Sequence, residues 1–125
     1  MTPARRLWLS LAALSGLVSV AAGAFGAHGV ADPMAKELLK TGSTYQMTHA
    51  LAVFASELAV GLGGGMARFA GPLFLVGALL FSGSLYGLAL GAPRLIGAVT
   101  PIGGLAFMAG WAVLALAAWR IRPTL

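Results

Sequence analysis

From Phe69 to Pro93 the chain runs twenty-five residues without a charged side chain, and from Leu7 to Ala27 it runs another twenty-one. An α-helix needs roughly 20 apolar residues to cross the hydrocarbon core of a bilayer, and both runs meet that length. Neither has the polar face that keeps a surface helix of a water-soluble domain wet. The chain therefore reads as an integral membrane protein built from helices. Composition agrees, because 59% hydrophobic and 9% charged residues, with a mean hydropathy of +0.92, leave too little polar surface for a soluble 125-residue domain.

The pattern predicts one all-α domain over 1–125, a four-transmembrane-helix bundle with spans at about 7–27, 45–62, 69–90 and 100–119. The first span follows a basic head containing Arg5 and Arg6, and its Ala22-Gly23-Ala24 imitates a signal-peptide cleavage site. Ala12, Gly16, Ser19, Gly23 and Gly26, however, recur at alternating spacings of four and three. That is the stripe of a helix that packs against another and is retained. Between the first two spans, Asp32 before Pro33 reads as an N-cap and Gly42 as a stop. Met34–Thr41 is accordingly expected to be a short interfacial helix, with Met34 and Leu38 toward the membrane and Lys36, Glu37 and Lys40 toward water.

The second span holds the most polar side chains. Tyr45, His49, Ala52, Ser56, Ala59 and Gly63 keep spacings of four and three, a seam that starts polar and continues small. Gln46 and Glu57 lie about three turns apart on an adjacent stripe, and Glu57 is the sole acid within any span. An ionisable group at membrane depth is a functional candidate by default; the alternative is that Glu57, about one turn from the end of its span, reaches the interface or pairs with Arg68. Gly63-Gly64-Gly65 reads as a turn, since it lacks the strand and lysine of a nucleotide phosphate loop. In the third span Gly83, Gly87 and Gly91 form a side-chain-free stripe beside Ser82 and Tyr86. In the fourth, Thr100-Pro101 begins the helix, and Gly103, Ala106, Gly110, Val113 and Ala117 form its seam. The expected helix-packing glycines are thus Gly16, Gly23, Gly26, Gly83, Gly87, Gly103 and Gly110.

The net charge of +5 is spread over single and paired basic residues at the ends of apolar runs, which orients a membrane protein and does not suit nucleic acid. Arg5, Arg6, Arg68, Arg120 and Arg122 fall on one side of four alternating spans, and Lys36, Lys40 and Arg94 on the other. The excess predicts cytoplasmic termini, with Trp8 and Trp119 as anchors at that boundary and Trp111 assigned only to packing.

The same topology gathers His28, Tyr45, Gln46, His49, Ser82, Tyr86 and Thr100 toward the opposite face as a candidate polar cluster. Two histidines there suggest a metal or a haem, but no third ligand accompanies them and the chain has no cysteine. No metal or cofactor is therefore expected. The hairpin is expected to bring His28 and His49 to similar depth, with His49 hydrogen-bonded to another span or to the first connection. No nucleophile triad, carboxylate pair or nucleotide fingerprint supports catalysis.

Four segments, in order, carry a family resemblance: Gly23-Ala24-Phe25-Gly26-Ala27-His28-Gly29; Tyr45-Gln46-Met47 with His49-Ala50-Leu51; Phe81-Ser82-Gly83-Ser84-Leu85-Tyr86; and Thr100-Pro101-Ile102-Gly103-Gly104 with Gly110-Trp111. Together they resemble the signatures of domain of unknown function family 423, which includes small bacterial inner-membrane proteins and the eukaryotic transmembrane protein 256. The resemblance implies a small four-span protein of the plasma (inner) membrane, with no established activity and no catalytic residues to carry over. Glu57 is not part of that pattern. The expectation is a non-enzymatic membrane component or accessory subunit that packs through glycine-rich faces, in a homo-oligomer or a larger complex, and binds a lipid or quinone. The alternative is an oligomeric transporter or channel lined by Glu57, His49 and Gln46.

Overall fold

The computed structural model describes residues 2–124, and among these every regular element is helical. Helix α1 spans Pro3–His28 and α2 spans Pro33–Gly61. A third rod, Gly65–Ala89, starts as a 3₁₀ segment (Gly65–Phe69), continues as α3 (Ala70–Gly77), passes through a π-turn (Ala78–Ser82) and ends as α4 (Gly83–Ala89). After a 3₁₀ segment at Arg94–Ala98, α5 runs from Thr100 to Trp119. Three of the four rods, Pro3–His28, Gly65–Ala89 and Arg94–Trp119, are long and apolar enough to cross a membrane by length and composition. The fourth, α2, is the longest α-helix at 29 residues, but it carries most of the polar interior.

The tight connections follow from local chemistry. Asp32 accepts from the Ala35 amide at 3.0 Å with Pro33 in the first turn, so α2 starts where the sequence predicts. Gly63 (φ 103°) and Gly91 (φ 98°) make the turns after α2 and α4 in the left-handed region that glycine enters without a Cβ clash.

The expected interfacial helix does not exist as a separate element, because Gly42 is no stop and α2 continues through it to Gly61. The reason is tertiary. A Cβ at Gly42 would lie 2.6 Å from the Tyr86 ring, so glycine is present to admit that ring and the helical backbone simply runs past. As a result α2 lies antiparallel to α1 along nearly its whole length, with Gly26 against Leu39, Ser15 against Gln46 and Arg5 against Glu57.

The core is made of small residues around one large ring. Ala12, Ala52, Val53 and Ala70 enclose Phe74, and Ala59, Ala67 and Ala117 close the bundle nearer the arginine-bearing end. In α5, Gly103, Gly110 and Ala117 of the predicted seam are buried, together with Phe107. A Cβ at Gly103 would overlap the Phe81 backbone, and one at Gly110 would lie 2.5 Å from the Phe74 ring. Gly77, which the sequence did not single out, receives Phe107 in the same way. Phenylalanines seated on glycines of the facing helix thus set the distance between α3 and α5. In α1, Gly26 abuts Leu39 and Gly23 approaches Ser43, but a Cβ at Gly16 would meet nothing. The stripe predicted for the third span fails: the Gly83 position faces open space, and Gly87 meets only Ala92 and Ile96 of the following connection.

Candidate functional site

Three buried polar side chains of α2, Gln46, His49 and Glu57, reach side chains on other helices, while the buried Ser56 bonds back to the Ala52 carbonyl of α2 itself. Gln46 is buried, donates from Nε2 to Ser15 Oγ of α1 (3.1 Å), and accepts at Oε1 from the Tyr86 hydroxyl of α4 (2.6 Å). One amide so joins three helices. Ser82, fully buried at the end of the π-turn, donates to the Gly42 carbonyl (2.7 Å). The π-turn inserts an extra residue into its helical turn, and here it lets the Phe81 backbone lie on Gly103 while Ser82 reaches α2.

His49 is the centre of an aromatic box. Its ring stacks on Phe107 at 3.5 Å between centroids and 9° between planes, with Phe74 at 5.5 Å and Trp111 at 5.9 Å. The Trp111 indole can only donate, so its 3.0 Å contact with Nε2 makes that nitrogen the acceptor. Nδ1 then carries the proton and donates to the Tyr45 carbonyl at 2.7 Å. Both ring nitrogens are committed within the bundle. Trp111, to which the sequence assigned only packing, is therefore the side chain that fixes the tautomer of His49. A groove of about 470 Å³ lies over this box between α2 and α5, with Tyr45, Thr48, Phe81, Met108 and Trp111 on its walls.

Not all of the predicted cluster assembles. His28 is the exposed last residue of α1, whereas His49 lies near the level of Ser15, about 20 Å further along at 1.5 Å per residue. The two imidazoles do not share a depth, because the first turns of α2 pair with α1 and carry His49 toward mid-bundle. Among the described residues no group of three His, Cys, Asp or Glu side chains is placed to hold a metal. Thr100 does not cap α5; its hydroxyl meets Ser84 Oγ at 2.5 Å, and Ser84 also bonds the Phe81 carbonyl. Ser15 carried no sequence signal beyond being a small polar residue in an apolar run, and Ser84 was marked only as part of the Phe81–Tyr86 segment.

Glu57 is buried and pairs with Arg5 of α1, not with Arg68. The Arg5 side chain also reaches the Glu57 carbonyl oxygen. The pair ties the first turn of α1 to the last turns of α2, and a buried carboxylate left without that guanidinium would be costly. Gln46, His49 and Glu57 consequently engage α1 and α4, α5, and α1 again.

Relatives follow most of the chain. A UPF0382 membrane protein from Haemophilus influenzae is 44% identical over 116 residues, covering 90% of this chain and 94% of its own. The UPF0382 inner membrane protein YgdD from Escherichia coli K12 is 43% identical over 121 residues, covering 94% and 92%. A UPF0382 membrane protein from Schizosaccharomyces pombe is 43% identical, covering 86% and 97%. No solved structure matches the chain. Residues 22–104, from the end of α1 through the polar interior to the start of α5, match the family described as "Protein of unknown function (DUF423)", and the chain belongs to that family of membrane proteins.

Proposed function

We propose that the protein is a non-enzymatic four-span component of the inner membrane that works through its helix surfaces, as an accessory subunit of a larger complex or as a homo-oligomer. The observation that carries this reading is that every buried side-chain nitrogen and oxygen among the described residues has a hydrogen-bond partner within the chain. The polar interior among the described residues is engaged in holding helices together. Large apolar side chains such as Leu14, Leu17, Leu58, Leu79 and Leu105 face outward, where lipid or another membrane helix can cover them. A crossing by α2 is supported by its antiparallel packing between rods that are themselves long enough to span. The excess of arginine at the end that holds Arg5, Arg68 and Arg120 supports cytoplasmic termini. A bound lipid tail or quinone ring is best accommodated by the aromatic groove over His49.

Extraction from native membranes in a mild detergent tests the reading. A second chain, or further copies of this one, should co-purify in fixed ratio. Pure protein that conducts ions in liposomes, with flux lost in Glu57→Gln or His49→Ala, would instead establish the transporter.

A further inference from the structure

We propose that the arginine-bearing end of the bundle binds the phosphate headgroup of an anionic glycerophospholipid, in a cavity between the glycine turn and the end of α5. The cavity has a volume of about 320 Å³ and is walled by Gly63, Gly64, Gly65, Arg68, Ala117 and Arg120. Charge is the first argument. The one acid at this end among the described residues, Glu57, is taken by Arg5, the sole salt bridge among those residues. Arg68 and Arg120 flank the cavity without a carboxylate. Arg120 donates instead to the Met66 sulfur at 2.9 Å, a weak acceptor, and Arg68 lies 4.6 Å from the centroid of the Phe69 ring. Each guanidinium keeps donors free for an anion, in a fork that matches phosphate oxygens.

Shape and depth then select the lipid. The turn between the two arginines has no side chains, and a Cβ at Gly63 or Gly65 would meet nothing within 4 Å, so a phosphodiester can come up to the backbone. The turn joins two membrane helices and therefore lies where hydrocarbon gives way to headgroups. Leu62 is 61% exposed, Phe69 51% and Trp119 87%, a collar along which acyl chains attached to the same phosphate can run. No acid lines the cavity to receive the ammonium of a zwitterionic headgroup. The cavity at the opposite end differs on that point: Glu37 lines it, and Lys36 already donates to the Ala27 carbonyl at 3.1 Å. Basic pockets between membrane helices are a recurrent form of anionic-lipid recognition. The site is independent of the accessory-subunit reading but rests on the proposed crossing by α2, which sets the depth of the turn.

The test uses purified full-length protein in a neutral detergent, titrated with phosphatidylglycerol, with phosphatidylcholine of the same chains, or with inorganic phosphate, and followed by thermal unfolding. Phosphatidylglycerol should stabilise saturably, while the other two should not. Arg68→Gln and Arg120→Gln should each weaken its apparent affinity, and Arg94→Gln at the other end should leave it unchanged. Equal stabilisation by both lipids, stabilisation by inorganic phosphate alone, or unchanged affinity in the double variant would overturn the site. Should the double variant not fold, native mass spectrometry of the wild type from mixed micelles decides: enrichment of phosphatidylglycerol adducts supports the site, and adducts in the micelle's own proportion refute it.

Discussion

A histidine inside a membrane bundle is tolerable only when both ring nitrogens have partners, and His49 meets that condition through one backbone carbonyl and one indole. Trp111→Phe keeps a ring against Phe74 but leaves Nε2 without a donor. We expect it to lower the free energy of unfolding in detergent by about 1 kcal/mol, within the range of interhelical hydrogen bonds in membranes. His49→Ala also removes the ring stacked on Phe107 and should lose more, about 2–4 kcal/mol. Equal stability of Trp111→Phe and wild type would show that the contact contributes nothing. The importance of His49 and Gln46 was legible in the sequence, because polar residues in a span must find partners. Those partners were not legible: the apolar composition of α5 all round its axis gives no sign of which face turns inward, so nothing singled out Trp111.

At the scale of the element, small-residue spacing picked out Gly26, Gly103 and Gly110, which abut neighbouring side chains or backbone, but also Gly16 and Gly83, which face open space. A glycine stripe permits close approach without requiring it, and the neighbour that uses the permission lies outside the stripe itself. The inward face of the third rod is set by Phe74, Gly77, Ser82 and Leu85, with a π-turn between that shifts the phase of everything after it. No proline or charge in Ala78–Ser82 announces that shift. Substitution separates the two kinds of glycine. Gly103→Leu and Gly110→Leu drive a side chain into the Phe81 backbone and the Phe74 ring, and should cost at least the 1–3 kcal/mol typical of overpacking. Gly83→Leu meets open space and replaces a helical glycine, so it should be neutral or stabilising by about 0.5–1 kcal/mol. Thermal unfolding in detergent measures all three. Destabilisation by Gly83→Leu comparable to that of Gly103→Leu would show that another molecule covers that face.

For the whole molecule, the question that matters is whether α2 crosses the membrane with the other three rods. Its residues are too polar to be counted as a span by composition, since Gln46, His49, Ser56 and Glu57 all lie on it, yet these are the side chains that the bundle buries. Hydropathy measures the preference of a side chain for lipid, and a central helix shielded by its neighbours need not satisfy it. The absence of native cysteine makes the answer measurable with single cysteines placed at exposed sites. Cysteines at Thr2, Gly65 and Thr124 should be shielded from an impermeant thiol reagent in intact cells, whereas cysteines at Glu37 and Leu95 should react. If α2 lay along one face instead, Glu37 and Gly65 would label from the same side and Thr2 and Thr124 from opposite sides. That outcome would leave three spans. It would also expose the Arg5–Glu57 pair as a contact that cannot form, because Arg5 and the end of α2 would then lie on different sides of the bilayer.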